Sequence, residues 1–110
     1  MFDLILLGIG GDGHLLSVFP GSPALGATDL ALAIPAPLHI EPRVERVTLN
    51  PAVIGVARAV LVVANGAEKA PVLVKILGPE RDPRQFPAQL ARLPGATWIL
   101  DSAAAAALRR

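Results

Sequence analysis

Cysteine is absent from this 110-residue chain, which excludes disulfides, thiolate catalysis and cysteine metal sites. No apolar run approaches the roughly 18 residues of a membrane-spanning helix, and no charged-then-apolar leader opens the sequence. The expectation is a soluble, cytoplasmic protein. An excess of one charge is also lacking. Ten Lys and Arg stand against nine Asp and Glu, a net charge of +1, so no basic patch argues for nucleic acid or an anionic membrane. Only two of the basic residues are lysines, Lys69 and Lys75. No Gly-Lys-Ser/Thr is present, which removes a nucleotide P-loop. No Gly-x-Ser-x-Gly elbow surrounds Ser17, which removes it as a nucleophile.

What the chain does have is apolar bulk and glycine. Hydrophobic residues make up 53%, enough for a core of useful size, and the length allows one domain at most, 1–110. The rest is organised around Asp3 to Pro20, DLILLGIGGDGHLLSVFP. The run Leu4-Ile5-Leu6-Leu7, bounded by glycine, reads as a buried strand. Gly8-Ile9-Gly10-Gly11-Asp12-Gly13-His14 follows it. Glycine lets a ligand come close to the backbone, so the strand delivers a bare, NH-rich turn with an Asp and a His. Open α/β sheets present sites in this way, at the carboxyl ends of strands.

Gly8, Gly10 and Gly13 also match the Gly-x-Gly-x-x-Gly dinucleotide fingerprint. That motif needs a full helix behind it and an acidic residue about 20 positions on, at the end of the next strand. Here Pro20-Gly21-Ser22-Pro23 interrupts after six residues, and Asp29 precedes the apolar run 30–34 instead of ending it. The spacing argues against a dinucleotide.

Taken in order, residues 2–7 form a first strand, apolar on both faces except Asp3, as in a central parallel strand. Residues 14–19 suit one and a half turns of helix, and 20–28 a loop. Strands are expected at 30–34 and 44–49, separated by an irregular, proline-rich stretch at 35–42. Pro51 opens a short helix that ends near Gly55. The valine-rich AVLVVA at 59–64 is the cleanest buried strand. Asn65-Gly66 turns the chain into a helix stopped by Gly78-Pro79, with Pro71 tolerable only in or near its first turn. A charged loop at 80–87, a short helix at 88–92, a strand at 96–100 and an alanine helix at 103–108, capped by Asp101 or Ser102, complete the chain. Strands alternating with helices imply crossovers and an α/β fold with a mostly parallel sheet.

Few residues are placed to carry chemistry. His14 follows a glycine turn at a strand end, beside Asp12, and imidazole titrates near working pH, so it suits a general base. Asp12 would orient that ring, hold a hydroxyl, or close an Asx turn on its own loop. Backbone NH groups of Gly10, Gly11 and Gly13 are candidate donors to an oxyanion or bound substrate. Lys69 lies in the first turn of a helix, where a cation opposes the macrodipole unless an anion binds there; a plain solvated Lys near Glu68 is the alternative. Arg46 leads a short strand and suits a carboxylate or phosphate. Arg43 reads as a surface charge, His39 as a loop residue between prolines, and Trp98 as core.

LLGIGGDGHLLSVFPGSPAL resembles the signature of the 6-phosphogluconolactonases, and more loosely that of the glucosamine-6-phosphate deaminases and isomerases. Arg46-Val-Thr-Leu, Asn65-Gly-Ala-Glu-Lys69-Ala-Pro and Ala96-Thr-Trp-Ile-Leu-Asp101 resemble lactonase segments, in the same order. The resemblance implies a Rossmann-like three-layer α/β/α fold and hydrolysis of 6-phosphoglucono-1,5-lactone in the oxidative pentose phosphate pathway. It implies His14 as base with Asp12 as helper, Lys69 on the substrate phosphate, Arg46 as a second anion binder, and no metal or other cofactor. Deaminases of the superfamily carry an acidic residue shortly after Asp-Gly-His; Phe19 stands in that stretch here, which favours the lactonase branch.

The resemblance covers only the carboxyl-terminal half of a protein about twice this length. The family's amino-terminal half carries a phosphate-binding turn and an arginine that have no counterpart here. A non-catalytic sugar-phosphate-binding remnant is therefore a rival of another class. The first strand, deprived of a neighbour, would expose NH and C=O groups and apolar side chains. Self-association, or pairing with a complementary amino-terminal chain, is expected.

Overall fold

The computed structural model describes residues 2–108. Along them run β1 (Leu4–Leu7), β2 (Ala31–Ile34), β3 (Arg46–Leu49), α1 (Ala52–Val56), β4 (Ala59–Ala64), α2 (Ala70–Ile76) and β5 (Ala96–Leu100). Single 3-10 turns occupy Pro23–Gly26, Ala67–Lys69 and Pro87–Ala91. No helix among the described residues is long and apolar enough to cross a membrane.

β4 is the middle of the main sheet. It pairs in parallel with β1 on one side and with β5 on the other, so the order is β1-β4-β5. Valine-rich AVLVVA suits this place, because β-branched side chains pack well on a pleated, half-buried surface. β2 and β3 form a separate antiparallel ribbon, with Ala31 opposite Leu49 and Ile34 opposite Arg46. The α/β class with a mostly parallel sheet therefore holds, and a two-stranded ribbon is added to it.

Side chains alternate across a strand, and the parallel register gathers Ile5, Leu7, Val60, Val62 and Ala64 on one face. These pack into a single cluster with Val53 and Ile54 of α1 and with Val72, Leu73 and Ile76 of α2. Both helices thus lie on the same side of the sheet, as right-handed crossovers running β1 to β4 to β5 require. The opposite face carries Leu4, Leu6, Val63 and Ile99, which are 56%, 65%, 42% and 50% exposed. The described residues build the sheet and the helical layer on one of its faces.

Buried amides fasten the joints. Gln89 is fully buried. Its Nε2 donates to the carbonyls of Lys75, Ile76 and Glu80, and its Oε1 accepts from the Asp82 N–H. Arg92 Nη1 donates to Ile76 and Gly78 carbonyls. Together they satisfy carbonyls that the end of α2 leaves open. Asn50 donates to the carbonyls of Ala27 and Asp29 and accepts from the Ala52 N–H, joining the 27–29 loop to the start of α1.

Several expected elements differ. β1 starts at Leu4, and its Leu4 and Leu6 are open to solvent rather than covered. Residues 14–19 form no helix. Leu15 and Val18 bridge across a tight reversal with Leu16 at φ 54°, because both flanking side chains are drawn fully into the core. The 88–92 helix is a 3-10 turn at Pro87–Ala91. Residues 102–107 are turns, although Asp101 Oδ1 accepts from the Ala104 N–H as a helix cap would. Five consecutive alanines provide helix propensity but little apolar area to hold a helix in place.

Candidate active site

The glycine turn leaves the carboxyl end of β1 and closes on itself. Gly13 N–H donates to the Gly10 carbonyl at 3.0 Å, and Gly10 N–H to the His14 carbonyl at 2.9 Å. Gly10 is glycine because the His14 ring lies on it. A Cβ there would run into Cε1 and Nδ1 of that ring and stand 2.9 Å from Asp12 Oδ1. Gly13 has φ +91°, and its Cβ would meet Phe86 at 2.8 Å. Gly11 faces open space.

His14 Nδ1 lies 2.5 Å from Asp12 Oδ1, and the His14 N–H donates to the same oxygen at 3.1 Å. An ionised carboxylate only accepts, so His14 Nδ1 is the donor, and in the neutral ring Nε2 then holds the lone pair. Burial pushes the Asp12 carboxyl up. Hydrogen bonds from His39 and from the His14 ring and backbone, with the His14 charge, outweigh it and hold the group below its ordinary value. Phe19, buried, packs its ring on His14 with centroids 4.6 Å apart.

The structure brings Lys69 to the same turn: its Nζ donates to the Ile9 carbonyl at 2.7 Å. Arg46 approaches from β3. Its guanidinium lies 5.6 Å from the Phe19 ring centroid, and Nη2 donates to the Pro42 carbonyl. Arg46 Nε is buried with no partner among the described residues. Of the turn's backbone donors, those of Gly10 and Gly13 are used inside the turn, while those of Gly11 and Asp12 have no partner among the described residues. Arg43 pairs with Glu41 at the surface. Trp98 packs against the core and donates to the Ala91 carbonyl.

Sequence reasoning passed over His39. The structure sets its Nε2 2.7 Å from Asp12 Oδ2 and its ring edge-on to Phe19. The available signal was slight: it is one of only two histidines in the chain.

A cleft of ≈ 410 Å³ lined by Leu6, Leu7, Gly8, Ile9, His14 and Leu16 opens beside this group. A cleft of ≈ 450 Å³ lies elsewhere, among Leu25, Asn50, Pro51 and Leu90, with Arg84 as its one ionisable group. It has no histidine or carboxylate in its lining, whereas the ≈ 410 Å³ cleft has His14, which makes the latter the candidate site. No three metal-ligating side chains converge on a common ion position among the described residues.

A parallel sheet and a bare glycine turn at a strand's carboxyl end, carrying a histidine held by an aspartate, define an α/β protein with a candidate site at that turn. The family model described as glucosamine-6-phosphate isomerases/6-phosphogluconolactonase matches residues 1–99; the chain belongs to that family. It is 39% identical to a 6-phosphogluconolactonase of Synechocystis over 98% of this chain and 44% of that protein. Against the human 6-phosphogluconolactonase the identity is 40%, over 96% of this chain and 41% of that one. The 6-phosphogluconolactonase structure from Trypanosoma brucei superposes with a TM-score of 0.82 at 39% identity, over 98% of this chain and 43% of that chain. A monomeric glucosamine-6-phosphate deaminase superposes with a TM-score of 0.75 at 25% identity, over 96% and 47%. The chain thus spans less than half the length of the relatives it matches.

Proposed function

We propose that this chain carries the general base of a hydrolase acting on 6-phosphoglucono-1,5-lactone, yielding 6-phosphogluconate in the cytoplasmic oxidative pentose phosphate pathway. One observation supports the reading: Asp12 Oδ1 lies against His14 Nδ1, so in the neutral ring the lone pair is on Nε2, and His14 lines the cleft. In this scheme Nε2 takes a proton from water as the water oxygen bonds to the lactone carbonyl carbon. The free N–H groups of Gly11 and Asp12 suit the developing oxyanion. Collapse breaks the ring C–O bond, and the departing ring oxygen takes the proton back from His14. Lys69 and Arg46 supply positive charge for the phosphate.

The test is lactone hydrolysis by the purified chain above the spontaneous rate, beside His14→Ala. Acceleration lost in the variant supports the reading. Equal rates for both overturn it for the chain alone. The buried phenyl ring of Phe19 against His14 places no acid in that position, which disfavours amino-sugar deamination; an assay with glucosamine 6-phosphate compares the two directly. The coverage of less than half of each relative favours a second reading, a sugar-phosphate binder without turnover. Measuring phosphosugar binding beside hydrolysis separates these.

The open face and free edge of β1 are part of the same proposal. Leu4, Leu6, Val63 and Ile99 are apolar and exposed, and among the described residues β1 has a strand partner on one side only. The occupant we assign to them is a complementary amino-terminal segment of the kind that would complete the family's length, with a second copy of this chain in its absence.

A further inference from the structure

Asp12 carries two imidazoles, and the scheme above uses one. His14 Nδ1 is on Oδ1 and His39 Nε2 is on Oδ2, 2.7 Å away. Because the carboxylate only accepts, both nitrogens are donors. His39 arrives from the loop between β2 and β3, 27 residues along the chain. Phe19 lies against both rings, tilted on His14 and edge-on to His39 at 5.9 Å. The Arg46 guanidinium stands over the same ring, 5.6 Å from its centroid. Glu41 and Arg43, on the same loop as His39, pair with each other.

We propose that His39 is a positioning residue for His14, acting through Asp12. A carboxylate held at one oxygen can swing about its last side-chain torsion, which is broad and two-fold. With donors on both oxygens its plane is fixed, and Oδ1 stays aimed at His14 Nδ1. That locks the His14 tautomer whose Nε2 is free to act as a base. Half of the His39 side chain is exposed (51%), so truncation leaves no core cavity. The kinetic consequence rests on the lactonase reading; the tautomer consequence does not.

The experiment is 15N NMR of the imidazoles in the full chain, comparing wild type, His39→Ala and His39→Gln, with hydrolysis kinetics alongside. The Gln amide can donate near the place of Nε2. In the wild type the His14 proton is expected on Nδ1. His39→Ala should populate both His14 tautomers and lower kcat on the order of tenfold, as loss of a hydrogen bond to a charged group allows, with KM unchanged. His39→Gln should restore the single tautomer. An unchanged His14 tautomer in His39→Ala, or a Gln variant no better than Ala, overturns the proposal. If no variant hydrolyses the lactone, the tautomer spectrum still decides.

Discussion

Lys69 Nζ donates a hydrogen bond to the carbonyl oxygen of Ile9, 2.7 Å away across a sequence separation of 60. The bond joins the start of the α2 segment to the glycine turn that follows β1. It places the ammonium beside the backbone that carries Asp12 and His14, where the proposed function would have it meet the substrate phosphate. Lys69→Met removes a hydrogen bond to a charged group, so KM for the phospholactone should rise about tenfold or more. Steady-state kinetics check this. An unchanged KM would mean that Lys69 only buttresses the turn.

Asp12 makes acid stability a readout of the site. Its folded carboxyl titrates below the ordinary 3.8. A depressed carboxylate contributes stability that is fully present above the unfolded value and lost as pH falls through the folded one. Denaturation midpoints between pH 6 and pH 3, in steps of about half a unit, should therefore fall below about pH 4 for the wild type. Asp12→Asn should fall less steeply in that window. Parallel curves would show that Asp12 makes no such contribution.

Neighbouring glycines of the turn should respond oppositely. A methyl on Gly10 meets the His14 ring, whereas one on Gly11 meets nothing within 4 Å. Gly10→Ala should displace the imidazole and lower kcat roughly 100-fold, the scale expected for an ångström of misplacement. Gly11→Ala should leave the His14 geometry and the melting temperature as in wild type, since nothing in the protein lies in the way of its methyl. Kinetics of Gly10→Ala with circular dichroism melts of both variants decide; similar losses of stability in both would contradict the packing.

The open sheet face should govern association. Leu6, 65% exposed on β1, lies on the uncovered side of an edge strand. At tens of micromolar the wild type should sediment as a dimer or larger. Leu6→Lys should shift it toward monomer, because a charge resists burial and blunts a sheet edge. A monomeric wild type that melts cooperatively would remove the need for any partner on this face.

Local pattern made much of the fold legible. AVLVVA and ATWIL are short β-rich runs with clear boundaries, and both strands lie where the periodicity puts them. Pro51 and Pro71 sit at helix starts, where a missing N–H costs nothing. Residues 14–19 and 103–108 misled for opposite reasons. Core demand on Leu15 and Val18 overrode helical propensity in the first, and propensity without packing was too little in the second.

By itself the amino-acid sequence determined the alternation of strands and helices that implies a parallel sheet, and the bare glycine turn at the end of β1 with Asp12 and His14 side by side, because each is read from residues a few positions apart. Only the tertiary structure decided that both helices cover one face and leave Leu4 and Leu6 exposed. It alone brought Lys69 to Ile9 and His39 to Asp12. Those contacts depend on crossover handedness and on the path of a proline-rich loop, and neither leaves a periodic trace in the order of residues.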